Sequence, residues 1–176
     1  MTLRQNSIAA LAAAGLACLP VAAMAAPPAP MAGVNAVVAV TTTEADNKTL
    51  VETLYRAFAA GDGATISGIL SPDIVWIEAE NGPYADLNPY MGPAAVFEGV
   101  FGRIGQQWQA FAATPVTVLP SGDRVVSLGR YTGTNIATGE VLDAQFVHVF
   151  TVADGKIVAF QQYTDTAQWV DAVTPD

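Results

Sequence analysis

Beyond Thr114-Pro115 the chain reads as four apolar, β-branched runs separated by three short breaks. The runs are residues 116–119, 124–133, 141–152 and 156–164, and the breaks are Ser121-Gly122-Asp123, Ala137-Thr138-Gly139 and Ala153-Asp154-Gly155. Breaks this short, made of residues that tolerate turn geometry, join antiparallel neighbours. The second half of the chain is therefore predicted to be a β-meander, and whatever precedes it has to cover one face of that sheet.

Helical periodicity precedes it. Asp46 and Asn47 offer caps for a helix in which Leu50, Val51, Leu54, Tyr55 and Phe58 recur at i, i+3 or i+4, and Gly61 ends that helix. Asp62 caps a short second helix to about Leu70, and Ser71-Pro72-Asp73 turns the chain into the strand Ile74 to Glu78. Residues 79–92, rich in Gly, Pro, Asn and Tyr, form a loop able to act as a lid. Pro93 suits the first turn of a third helix reaching Trp108, with Val96, Val100 and Ile104 on its apolar face. Gly99, Gly102 and Gly105 each weaken that helix by about 1 kcal/mol relative to Ala, which predicts close packing against a neighbouring backbone. Asp165 caps a terminal helix containing Trp169 and Val173. Helices first and strands afterwards predict an α+β domain over residues 47–173.

The N-terminus reads as an address. Arg4, the apolar run from Ile8 to Leu19 and the small-x-small triplet Ala23-Met24-Ala25 have the form of a secretory signal cleaved near Ala25, which predicts a secreted or periplasmic protein. The run is too short and too interrupted to span a bilayer in the mature form. Lipidation of Cys18 is the competing reading. Residues 26–46, with Pro27, Pro28 and Pro30, read as a flexible linker. The formal net charge of −9 becomes −10 when the leader takes Arg4 with it, and no basic cluster remains. That balance argues against nucleic acid and anionic membranes as partners. One cysteine, in the leader, and one histidine argue against disulfides, thiol catalysis and a zinc site, and there is no phosphate-cradling glycine loop, so neither a metal nor a cofactor is expected.

Two residues carry the chemistry. Glu78 closes the apolar run Ile74-Val75-Trp76-Ile77, where desolvation raises a carboxyl toward the range of a working general base; the alternative is a wet strand end. His148 lies mid-strand in Phe146-Val147-His148-Val149-Phe150, sharing a face with Phe146 and Phe150. It suits an acid, base or hydrogen-bond donor, or else a core histidine bonded to a backbone carbonyl or to Gln162.

Several short motifs in a fixed order carry a resemblance: Ala59-Ala60-Gly61-Asp62 at the helix end, Trp76-Ile77-Glu78, Gly92-Pro93, Asp154-Gly155-Lys156-Ile157 and Tyr163-Thr164-Asp165. Together they resemble the SnoaL-like branch of the nuclear transport factor 2-like superfamily over about residues 47–173. The resemblance implies a curved antiparallel sheet wrapped around the N-terminal helices into a cone, with an apolar pocket inside. Glu78 falls where ketosteroid isomerases place the aspartate that removes a proton beside a carbonyl. The isomerase oxyanion donors are matched by Leu54, next to Tyr55, and by Phe146, so steroid isomerisation by that mechanism is not expected. The epoxide hydrolase pattern fails at Thr132.

The resemblance turns the Phe146-His148-Phe150 face and the Phe160-Gln162-Thr164 face inward. With those faces inward, Glu78 and His148 are the candidate catalytic residues, and residue type and alternation add Trp76, Tyr55, Tyr90, Tyr131, Phe146, Phe160, Gln162 and Thr164 as candidates around a small apolar or carbonyl-bearing ligand. Tyr84 is a further hydroxyl on the loop. Cofactor-free proton transfer of an isomerase, cyclase or dehydratase type and a non-catalytic binding protein both remain open. A homodimer through the outer sheet face, at Val147 and Val149, is expected because homodimers are common in this superfamily.

Overall fold

A computed structural model describes residues 43–175. The expected leader, Cys18 and nearly all of the expected linker lie outside the described residues. Helix α1 (Glu44–Ala60) starts earlier than Asp46: Thr43 is the N-cap, its hydroxyl accepting from the Asp46 backbone N–H at 3.1 Å. The Asp46 carboxylate returns the favour by accepting from the Thr43 N–H at 3.0 Å, so Asp46 supports the cap instead of being it. Gly61, at φ 66°, ends α1 in the left-handed conformation. Asp62 then caps α2 (Gly63–Ile69), as its spacing predicts.

Strand β1 (Leu70–Ile77) delivers Glu78 at its end, and a two-residue strand β2 (Tyr90–Met91) closes the following loop. The third helix is not continuous to Trp108. It runs as α3 (Gly92–Val96), one π-helical turn (Phe97–Phe101) and α4 (Gly102–Gln107). The glycines explain part of the interruption. A Cβ on Gly99 would stand 2.1 Å from the Tyr90 ring, and one on Gly102 would stand 2.9 Å from the Phe97 carbonyl oxygen. The close approach is therefore not to a neighbouring backbone as expected: Gly99 makes room for the Tyr90 side chain, Gly102 for a carbonyl of its own helical run, and a Cβ on Gly105 would meet nothing within 4 Å.

Trp108 opens a strand instead of ending a helix. Strand β3 (Trp108–Ser121) is followed by β4 (Arg124–Asn135), β5 (Val141–Ala153) and β6 (Lys156–Thr164), and then by α5 (Thr166–Val173), capped by Asp165. The sheet order is β2-β1-β6-β5-β4-β3, which makes β3 an edge. An edge strand accepts Pro115 and Pro120, whose missing N–H groups cost no ladder bond on the open side. All pairs are antiparallel except β1 with β6, where Trp76 lies beside Phe160 in parallel register.

The core lies between the helices and the concave side of this sheet. Val51, Leu70, Ile74, Val96, Val125 and Leu142 are among its wholly enclosed residues. On the convex side Val147 and Val149 are half-buried, not exposed, while Val116, Leu128 and Tyr163 are exposed around Val147. Among the described residues no helix is long and apolar enough to cross a membrane, and no cluster of three His, Cys, Asp or Glu could hold a metal ion.

Candidate functional site

The end of β1 fixes Glu78 from two sides. Its backbone N–H donates to Asn88 Oδ1 at 2.9 Å, and Asn88 Nδ2 donates back to the Glu78 carbonyl at 2.8 Å. Strand alternation then puts Trp76 and Glu78 on the same inward face, and the Trp76 indole N–H donates to Glu78 Oε1 at 2.6 Å. Trp76 is itself stacked on Phe160, with ring centroids 3.7 Å apart. Glu78 is only 3% exposed. Burial raises its pKa from 4.5 to about 7, against the opposing pull of the Trp76 N–H and the Gln162 amide. The wet strand end is therefore not what the fold makes of this residue.

His148 stands on β5, and among the described residues its ring nitrogens bond to tyrosine hydroxyls and to no backbone carbonyl. Its Nδ1 lies 2.7 Å from the Tyr55 hydroxyl, and its Nε2 lies 2.5 Å from the Tyr131 hydroxyl. Burial lowers its pKa from 6.5 to about 3, so the ring is neutral at physiological pH. A neutral imidazole donates through one nitrogen only, so one tyrosine donates to it and the other accepts from it. Gln162 Nε2 already donates to Tyr131 at 2.8 Å. Two arrangements satisfy these contacts: Tyr131 donates to Nε2 while Nδ1–H donates to Tyr55, or Tyr55 donates to Nδ1 while Nε2–H donates to Tyr131. Burial raises both tyrosines well above the ordinary phenol range, so both keep their protons.

Gln162 is the link between the two halves of the site. Its Oε1 accepts from the Ala79 backbone N–H at 3.1 Å, its Nε2 reaches Tyr131, and its amide also steadies the Glu78 carboxylate. Helix α1, β1, β4, β5 and β6 thereby contribute one polar side chain each, and Glu78 and the Ala79 N–H just after β1 join them in a continuous buried network.

The network opens on a cavity of about 50 Å³. That is room for about three or four waters. Seven predicted site residues line it: Glu78, His148, Trp76, Tyr55, Tyr131, Phe160 and Gln162. Three do not. Phe146 packs behind His148, with ring centroids 4.0 Å apart. Tyr90 lies against Gly99 and donates to the Tyr84 carbonyl at 2.6 Å. Thr164 is half-buried at the sheet margin and donates to the Gln145 carbonyl at 2.7 Å.

Tyr84 is also engaged elsewhere, donating to Gln107 Oε1 and accepting from the Trp108 indole N–H, each at 2.8 Å. The expected lid is a fastened loop. Arg103 donates to Asp86 at 2.7 Å and to the Pro83 carbonyl at 3.0 Å, with its guanidinium 4.9 Å from the centre of the Tyr84 ring.

Phe58 and Trp169, read from the sequence only as apolar helix residues, and Phe101 and Phe111, which the sequence reading does not single out, complete the wall. Phe111 sits in Trp108–Thr114, where three alanines hide the strand, so alternation could not aim it inward. Trp169 carries the one informative signal: its buried indole N–H has no hydrogen-bond partner among the described residues.

Comparison with known proteins assigns the architecture. The SnoaL-like domain family matches residues 51–160, and the chain belongs to that family. An NTF2-like protein from Burkholderia thailandensis is 32% identical, with a TM-score of 0.70, over 73% of this chain and 98% of its own. TerC, co-crystallised with polyporic acid, is 24% identical, with a TM-score of 0.65, over 72% of this chain and 97% of its own. A protein of ketosteroid isomerase-like fold from Catenulispora acidiphila, in complex with trimethylamine, is 12% identical, with a TM-score of 0.61, over 72% of this chain and 93% of its own. The last two likenesses speak for the fold alone. A search of curated proteins gives no match. Proteins of this fold often bind small molecules, and they include cyclases and isomerases.

Proposed function

We propose that the protein binds a small, largely apolar molecule bearing a carbonyl and moves a proton on it without a cofactor, with Glu78 as the base. The observation that carries this reading is the placement of the Glu78 carboxyl in an aromatic cavity with no cationic partner among the described residues, which poises it to titrate near neutrality. As the carboxylate it takes a proton from the carbon beside the carbonyl, and the C–H electron pair moves into the carbonyl to form an enolate. The resulting carboxylic acid returns the proton to that carbon or to a conjugated one, so nothing is consumed. Trp169, an unpartnered buried donor on the cavity wall, suits the developing oxygen charge. His148 serves as a neutral member of the Tyr55-His148-Tyr131 chain rather than as a charged acid. Deuterium exchange into enolisable ketones, followed by NMR, tests the reading; exchange that persists in Glu78→Gln removes Glu78 as the base.

A second reading, binding without turnover, is favoured by the small cavity and by a histidine whose two nitrogens are both engaged. Tight ligand retention with no exchange would select it.

The reading also includes export with cleavage near Ala25, tested by the mass of the secreted chain, and a homodimer. The convex patch of Leu128, Val147 and Tyr163, cross-strand neighbours ringed by Val116, supports the dimer. Val147→Lys should convert it to a monomer in sedimentation.

A further inference from the structure

A second hollow lies directly outside the first. It measures about 440 Å³ and is bounded by the end of α1, α2, the π-helical turn, α4 and the start of β3. Phe58, Phe101, Ile104 and Phe111 line both spaces, so the partition between them is a single layer of side chains. Its rings meet edge to face, Phe58 on Phe101 with centroids 5.3 Å apart and Phe58 on Phe111 with centroids 6.2 Å apart. Hydrocarbon side chains form no hydrogen bonds that would have to break when a ring rotates.

The residue types in the outer hollow define what it can hold. Every lining side chain is aromatic, aliphatic or the hydrogen of glycine, none carries a charge, a hydroxyl or an amide, and the polar groups at its surface are those of the backbone and the Trp108 indole. Gly105 is the telling one. Glycine inside a helix is unfavourable relative to alanine. Gly99 and Gly102 have steric reasons for it, but a Cβ on Gly105 would meet nothing within 4 Å, and its φ is not in the left-handed region. Gly105 is exposed at the rim of the hollow, and the space beside it is open.

The inner cavity has room for a head of only a few heavy atoms, yet it holds all the polar chemistry. We propose that the two hollows form one binding site for an elongated ligand: a carbonyl head in the inner cavity and an alkyl or aryl-alkyl tail in the outer one, passing between Phe58, Phe101 and Phe111. This inference rests on the carbonyl-binding reading above and adds the shape and class of the ligand.

Affinities for 2-alkanones from four to ten carbons, measured by calorimetry on the purified protein, provide the test, beside deuterium exchange on the same ketones. Affinity should rise about three- to fourfold per added CH₂ once the tail reaches the outer hollow. Gly105→Leu should flatten that rise, Gly105→Ala should flatten it less, and thermal melts would verify that both variants fold. Exchange without any dependence on chain length, or a rise that Gly105→Leu leaves intact, overturns the two-part site while sparing the proton-transfer reading. A length dependence abolished by Gly105→Leu with no exchange sustains the two-part site and removes the catalytic reading. Absence of binding at every length overturns both.

Discussion

The Tyr55 hydroxyl and His148 Nδ1 lie 2.7 Å apart, a bond between the first helix and the central region of the sheet, separated by 93 residues of sequence. Through His148 the same contact extends to Tyr131, Gln162 and the Ala79 backbone. The helix is thus attached to the sheet by a polar chain threaded through an aromatic core. Such a chain is costly to interrupt, because a removed member leaves buried partners unsatisfied.

Tyr131→Phe should therefore destabilise more than Tyr55→Phe. The first removes the partner of both His148 Nε2 and Gln162 Nε2, while the second removes only that of His148 Nδ1. We expect about 1–3 kcal/mol per group left unpartnered. Urea titrations of the two variants measure the difference, and a milder effect for Tyr131→Phe would show that the chain does not run through it.

The two buried titrating groups oppose each other in their effect on stability. His148 has its folded pKa pushed from 6.5 down to about 3, so between those values the unfolded chain binds the extra proton and acid destabilises the fold. Glu78 has its pKa pushed from 4.5 up to about 7, so between those values the folded chain binds the extra proton and acid stabilises it. Across pH 4.5–6.5, where the two windows overlap, the slopes cancel. Wild-type stability should be nearly flat there. Glu78→Gln removes one side of the balance and should expose a loss of about 1 kcal/mol per pH unit on acidification. Urea midpoints at several pH values measure it; a flat profile in the variant would mean that His148 can be protonated in the fold.

The legible parts of this protein are those set by local chemistry. Gly61, Asp62, Asp165 and the glycine-containing turns are read from single residues, and each is where its conformational preference puts it. Glu78 and His148 were found because a polar residue in an apolar alternating run contradicts its surroundings. The start of β3 was hidden because Ala110, Ala112 and Ala113 have little strand preference, and because pairing with β4 at a sheet edge, a tertiary fact, makes the strand. Residue type and face point Tyr90 and Thr164 toward the cavity, and the structure places both outside it. The loop clamp by Arg103, and the margin at which β6 leaves the concave surface, lie beyond any periodicity. Trp169 was legible as an apolar helix residue, but its unpartnered N–H is visible only in three dimensions.

Gly99→Ala separates packing from propensity. In an exposed helix the change would stabilise by roughly 0.5–1 kcal/mol. Here the new methyl would sit 2.1 Å from the Tyr90 ring, which is held by its bond to the Tyr84 carbonyl and cannot swing away freely. A net loss of about 1–3 kcal/mol is expected. Thermal denaturation checks the sign, and stabilisation would show that the ring yields.

If the cavity catalyses proton transfer, its pH profile belongs to Glu78. The carboxylate is the working form, so kcat/KM should rise with pH through a midpoint near 7. His148, neutral from about pH 3 upward, adds no second limb near neutrality. Glu78→Gln keeps the shape of the side chain and removes the base, with an expected rate loss of about 10²- to 10⁴-fold. Trp76→Phe is the sharper test. It deletes the N–H that donates to Glu78 Oε1 at 2.6 Å and leaves burial, the dominant cause of the raised pKa, largely in place. The midpoint should then move upward, because the lost donor favoured the ionised form. A rate profile unchanged in midpoint by Trp76→Phe would mean that the titration seen in the kinetics is not that of Glu78.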